Sequence, residues 1–243
     1  MRDESAPAYY ALRTGGWRDY LTLLHLPYTV WHLSYVVMGA AAAPVLRLDR
    51  LGWTVLAFFL AVGLAAHAFD ELRGRPLRTR IPLGILRGLG GLSLAGAVAV
   101  GVYACFILSL WVIPFILFGG FIVLAYNLEW WHGRFHTDVW LALAWGAFPA
   151  LAGYWANAAT IRIEAVILAA GCLALTLVQR TLSTQARTLR RKVSRAQGTV
   201  EYVDGRRENV SVATMLVVPE QSLRYLSYAV PLLALGWLLA RWG

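Results

Sequence analysis

Charge is scarce in this chain. Only 14% of its 243 residues are Asp, Glu, Lys or Arg, whereas a water-soluble domain carries about a quarter. Lysine is nearly absent: Lys192 stands alone, and the other bases are Arg. Cysteine occurs twice, and Cys105 and Cys172 both lie inside apolar runs. That excludes a disulfide framework and reads as two small core residues. The shortage of charge excludes an ordinary soluble globule, a disordered chain and a soluble nucleic-acid-binding domain. What is present instead is apolar: 59% hydrophobic residues, 11 Trp and 11 Tyr, with a mean hydropathy of +0.57.

A bilayer core takes roughly 20 apolar residues in a helix. Seven candidate spans meet that length approximately, at about 28–46, 51–69, 88–107, 110–127, 138–155, 161–179 and 225–241. The third and fourth touch, and the stretch from Ser109 to Pro114 is the expected turn between them. The reading is an all-α polytopic membrane bundle of about seven transmembrane helices in one domain. Residues 1–27 form an N-terminal segment that lies along the interface, with Trp17 and Tyr20 at headgroup level.

The excess of base over acid, +9 at pH 7, becomes a topology signal once the bases are placed. With the N-terminus inside, the inner segments hold Arg2, Arg13 and Arg18, the five Arg of 73–87, Arg134, and nine bases between Arg180 and Arg224. The outer segments hold only Arg47, Arg50, Arg162 and Arg241. Positive-inside bias then places the N-terminus in the cytoplasm, and a prokaryotic inner membrane is the expected location. No nucleic-acid partner is called for. The 180–224 stretch reads as a basic cytoplasmic connection whose first half extends the sixth span and which Gly198 and Asp204-Gly205 break. Val210–Val218 is too short to cross a bilayer and leaves a strand, a re-entrant piece or an interfacial segment open.

Ionisable groups beside spans are costly and so are functional candidates. His67, Asp70 and Glu71 close the second span on one helical face, and Glu129, His132, Arg134, His136 and Asp138 fill the loop after the fourth. Carboxylates and arginines at one mouth of an apolar bundle suit a diphosphate on a long hydrocarbon chain. Mg²⁺ bridges carboxylates and phosphates, Arg forks take the remaining phosphate oxygens, and the chain lies among apolar helices. The alternative is a set of interfacial residues, carboxylates pairing with Arg and Arg reaching to lipid headgroups.

The run from His67 through Asp70, Glu71, Arg75-Pro76 and Arg78 to Pro82 resembles the first aspartate-rich motif of the UbiA superfamily of intramembrane prenyltransferases. Tyr126-Asn127, Gly133, Asp138 and Trp145 to Pro149 look like that family's pattern in the fourth loop and fifth span. The resemblance covers roughly residues 25–180, and makes 28–179 a six-helix region of that fold. The sequence departs from the family at Ala66, where Asn is usual, and at Gly74, where the last aspartate would fall. Gln179 to Arg187 stands in place of the second aspartate motif.

What the resemblance implies is a divergent prenyltransferase that transfers a prenyl group from a diphosphate to a small acceptor. Asp70 and Glu71 would be the catalytic acids and would hold Mg²⁺. Arg75, Arg78 and Arg80 would take phosphate oxygens, with Arg180 and Arg187 compensating for the absent acidic loop, and His67, Tyr126 and Asp138 would line the cavity. A second reading keeps the fold without the reaction, as a lipid-binding scaffold or subunit with a membrane-protein partner. A third uses His132 and His136 with Glu129 as a metal site, since i, i+4 histidines share a helix face.

Overall fold

Apolar segments separated by short polar turns can satisfy their backbone in lipid only as helices, and the computed structural model, which describes residues 6–241, is built that way. The helices are α1 (Trp17–Leu23), α2 (Leu26–Ala42), α3 (Leu48–Leu72), α4 (Leu83–Ile107), α5 (Leu110–Asn127), α6 (Asp138–Ala158), α7 (Ile163–Lys192) and α8 (Val212–Leu239). The last six are long and apolar enough to cross a membrane, the arrangement of an integral membrane protein. The remaining expected span corresponds to α2, which has 17 residues and lies mostly buried among α3, α6, α7 and α8. Arg2, one of the N-terminal bases, lies outside the described residues.

The bundle separates charge by its ends. Arg73 pairs with Glu129 and Arg180 with Asp138 at one end, the arginine-rich end. At the other, the Arg47 amide and the Arg50 guanidinium bond Asn157 and the Ala156 carbonyl, and Arg241 bonds the Pro44 carbonyl. The chain reverses between α4 and α5 at Leu108–Ser109, where Ser109 caps the next turn by accepting from the Trp111 amide. The turn falls at the start of the 109–114 stretch the sequence predicts, and residues 110–114 are already helical.

Two differences from expectation sit in 180–224. Residues 197–211 form an antiparallel hairpin, β1 (Gln197–Glu201) with β2 (Arg207–Ser211), turned at Asp204-Gly205 and solvent-exposed along β1. A small strand pair is thus added to an all-α expectation. The final helix begins at Val212 rather than near 225. Ser211 and Thr214 form a reciprocal capping box that starts it there, and the helix continues through Pro219 and Pro231.

Small residues set the closest approach in the core. A Cβ at Gly39 of α2 would collide with the Ala150 carbonyl of α6, and one at Gly153 with the Val36 carbonyl of α2. The two backbones touch because neither position has a side chain. Trp31 and Tyr35 of α2 bury fully beside this crossing and bond each other. Gly39→Leu or Gly153→Leu forces the helices apart. The expected cost is at least the ~1–3 kcal/mol of ordinary overpacking, read as a fall in melting temperature of the detergent-purified protein; an unchanged Tm would contradict the crossing.

Candidate functional site

At the arginine-rich end α3 finishes with Asp70-Glu71-Leu72 and the chain enters the 73–82 loop. Its shape follows from one carboxylate. Glu71 is fully buried, and its Oε1 accepts from the Thr79 amide and hydroxyl, both at 2.8 Å, while Oε2 accepts from the Leu77 amide at 3.0 Å. An ionised carboxylate in such a place must be surrounded by donors. Gly74, Arg75 and Arg78 take positive φ to wrap the loop around it. The Arg75 guanidinium closes the wrap by donating to the Thr79 and Ile81 carbonyls at 2.7 and 2.9 Å. Buried Asp19 of α1 holds the far side, accepting from the Gly15 and Arg80 amides.

These bonds correct part of the sequence assignment. Glu71 and Arg75 build the loop, and neither faces the cavity behind it. Arg78 and Arg80 are exposed on the loop's outer side, although Arg78 is within electrostatic reach of Arg191. Asp138 is on the surface and its carboxylate is paired with Arg180 at 2.6 Å. Asp70 alone of the expected acid pair turns inward.

The cavity it enters has a volume of about 320 Å³. Four of the chain's histidines line it: His25, His32, His67 and His136. His67, Asp70, Tyr126, Arg180 and Arg187 also line it, as the sequence reading places them. His25, His32, Arg190, Arg191 and the strap 7–10 were not anticipated. No motif marks them: one histidine precedes the first apolar run, one lies inside it, and the two arginines belong to a generally basic helix. The strap closes the outer side of the cavity. The Ala6 and Pro7 carbonyls accept from Arg190 and Arg191, Tyr9 bonds Ser227, and Tyr10 bonds His25 Nδ1 at 2.9 Å. Burial raises the Tyr10 hydroxyl above its ordinary range, so it remains a neutral phenol.

Two widened helical segments place the inner wall. Phe59–Ala66 of α3 and Ala142–Ala147 of α6 are π-helical, a distortion that recurs at functional sites. The first presents His67, whose Nδ1 meets the Gly63 carbonyl at 3.1 Å; the second presents Trp145. Across from them the His136 ring stacks on Tyr126 at 4.3 Å, with its Nδ1 on the Tyr126 carbonyl at 3.0 Å. His132, by contrast, is exposed. Glu129, Trp131 and His132 all take left-handed backbone conformations. That removes the helical i, i+4 geometry the His132–His136 metal reading needs.

Charge in the cavity is mostly matched. Glu129 pairs with Arg73 on the rim, and Glu220 grips Arg190 through both oxygens, with both side chains buried. Arg187 and Arg191 have no carboxylate partner among the described residues, and both lie within electrostatic range of Asp70. The donor set does not fit a resident Mg²⁺. One inward carboxylate faces two guanidinium groups, and no group of three or more His, Cys, Asp or Glu able to hold a metal occurs among the described residues.

Deeper in the bundle an apolar groove runs from Trp145, which borders both spaces, towards Arg50 and Trp53 at the opposite end. Phe58, Val62, Leu94, Ile116, Gly120 and Phe148 form its walls. Arg50 and Val62 are twelve residues apart on α3, about 18 Å at helical rise.

Compared with known proteins, the chain matches no family model, no curated protein and no solved structure.

Two outcomes follow from these contacts. Arg190→Ala leaves Glu220 buried and unpaired, and a loss of about 3–5 kcal/mol is expected, measured by thermal or denaturant unfolding. Burial and neighbouring His67 hold the His25 imidazole well below its ordinary value of 6.5. Between those two values the unfolded chain binds a proton that the folded chain refuses. Stability present above pH 6.5 should therefore fall as pH drops below it, and His25→Asn, compatible with the left-handed backbone there, should flatten that fall in a series of melting curves.

Proposed function

We propose that this protein binds a prenyl or other lipid diphosphate at the cytoplasmic mouth of its helical bundle, in a prokaryotic inner membrane, and transfers the prenyl group to a small acceptor. One observation carries the reading: a polar cavity with two arginines that lack carboxylate partners among the described residues adjoins an apolar groove, with Trp145 lining both. An amphiphile with an anionic head and a long tail matches both halves.

In this picture Arg187 and Arg191 take the diphosphate, with Arg180 at the edge. Guanidinium forks suit phosphate oxygens in pairs, and positive charge fixed at the leaving group favours ionisation of an allylic C–O bond. Asp70, within electrostatic range of both, limits the net positive charge. The tail passes Trp145 and lies along Gly120 and Phe148. The strap 7–10 and the aromatic rings limit how much water reaches the reacting carbon. With one inward carboxylate among the described residues lining the cavity beside these guanidinium groups, charge neutralisation falls to arginine in this reading.

A second reading, a lipid-binding subunit without turnover that works with a membrane-protein partner, draws support from the same carboxylates. Glu71, Glu129, Asp138 and Glu220 are all engaged by protein donors. It shares the lipid site and differs only in product.

The test is equilibrium binding of tritiated geranyl and geranylgeranyl diphosphate to the purified protein, with and without EDTA. Saturable binding that survives EDTA is expected. Arg187→Ala with Arg191→Ala should weaken it at least tenfold, from charged hydrogen bonds worth roughly 1.5–3 kcal/mol each. Gly120→Phe should weaken the longer chain more than the shorter, because a Cβ there meets open space in the groove. Absence of saturable binding by the unaltered protein would end the proposal.

A further inference from the structure

The histidines of the cavity are unexplained by lipid binding. His32 is buried and its Nδ1 has no hydrogen-bond partner among the described residues; the same is true of the buried Nε2 of His25. Unmet nitrogens inside a cavity cost about 1–3 kcal/mol each unless something else meets them. His67 lies between. Its ring stacks on His25 at 4.1 Å and 11°, and it is within electrostatic range of His32.

The protonation of His67 follows from its neighbour. A carbonyl oxygen accepts hydrogen bonds and cannot donate them, so Nδ1, facing Gly63 O, carries the ring proton. In the neutral ring Nε2 is then a lone-pair acceptor, on a side chain that lines the cavity. Its depth is equally defined. Along α3 the order is Val62 in the groove, His67 in the cavity and Asp70 at the arginine level. His67 is one helical turn, about 5 Å, inward from Asp70. A diphosphate held at the Asp70 level and a tail held at the Val62 level put the carbon that joins them beside His67.

We propose that His25, His32 and His67 form a subsite for an uncharged, hydroxyl-bearing second substrate, and that His67 Nε2 is the base that takes its proton. This rests on the lipid-diphosphate reading above and extends it to the acceptor. The hydroxyl oxygen donates an electron pair to the first carbon of the prenyl chain and forms the C–O ether bond. The carbon–diphosphate bond breaks and its electron pair leaves with diphosphate. The hydroxyl proton moves to His67 Nε2 and from there to the departing diphosphate. The orphaned His25 and His32 nitrogens bond other polar atoms of the acceptor. Water entering in its place gives the prenyl alcohol by the same transfer.

The experiment uses the full chain, tritiated geranylgeranyl diphosphate, and phenol as a minimal hydroxyl acceptor in ¹⁸O-labelled water. Mass spectrometry reads the phenyl ether and the ¹⁸O-labelled alcohol. The unaltered protein is expected to form both. In His67→Gln both rates should fall at least a hundredfold, the lower range for a lost general base, with the Kd for geranylgeranyl diphosphate within about threefold of the unaltered value. In His67→Ala added imidazole should restore at least tenfold of the lost rate, a rescue that a purely structural role would not give. Retention of rate by His67→Gln overturns the assignment, as does an unaltered protein that binds the diphosphate yet forms neither product. Failure of the unaltered protein to bind the diphosphate would instead overturn the lipid reading on which the assignment rests.

Discussion

Every ionised group placed inside an apolar bundle must be met by donors or by opposite charge, and that requirement organises this structure. The solvation a carboxylate loses on leaving water is far larger than any single contact. Glu71 meets the demand by winding the following loop around itself, so that two amides and a hydroxyl point at it. Glu220 meets it with Arg190, across the length of chain that contains the hairpin. Asp138 and Glu129, nearer water, take Arg180 and Arg73. Once these are accounted for, Arg187, Arg191 and Asp70 are the charged groups lining the cavity that have no ion pair among the described residues.

The same requirement explains why the 73–82 loop is ordered without secondary structure. Three residues with positive φ are tolerated there because the carboxylate and the Arg75 guanidinium between them engage four backbone groups of residues 77–81. The loop is therefore a rigid shoulder beside the cavity. Asp19 links that shoulder to α1, so the N-terminal segment is part of the site's wall. The strap 7–10, which precedes α1 in the chain, covers the mouth and places Tyr10 against His25.

How much of this was legible depends on the range of the interaction. The spans, the turn near Ser109 and the segregation of arginine are periodic or compositional features, and they are visible in the chain. Asp70 was also legible, because an acid at the end of a long apolar run has few uses. Glu71, its neighbour, looked equivalent and is not: the two side chains leave the helix about 100° apart, and only the packing decides which of them meets the cavity. His25 and His32 carry no local signal at all. Their nitrogens become notable only when folding buries them beside His67. The hairpin was hidden for the opposite reason, since β1 is exposed throughout and β2 has no fully buried residue, which leaves no buried face for a pattern to record.

Sequence alone determined that this chain is a helical membrane protein with its positive charge collected at one end, because hydropathy and charge act residue by residue on transfer into lipid. Tertiary structure decided which charges cancel, which one of two adjacent acids faces inward, and which histidine nitrogens are left without partners. Those outcomes depend on distances between segments far apart in the chain, and in a low-dielectric interior distance determines whether a charge is neutralised or left for a ligand.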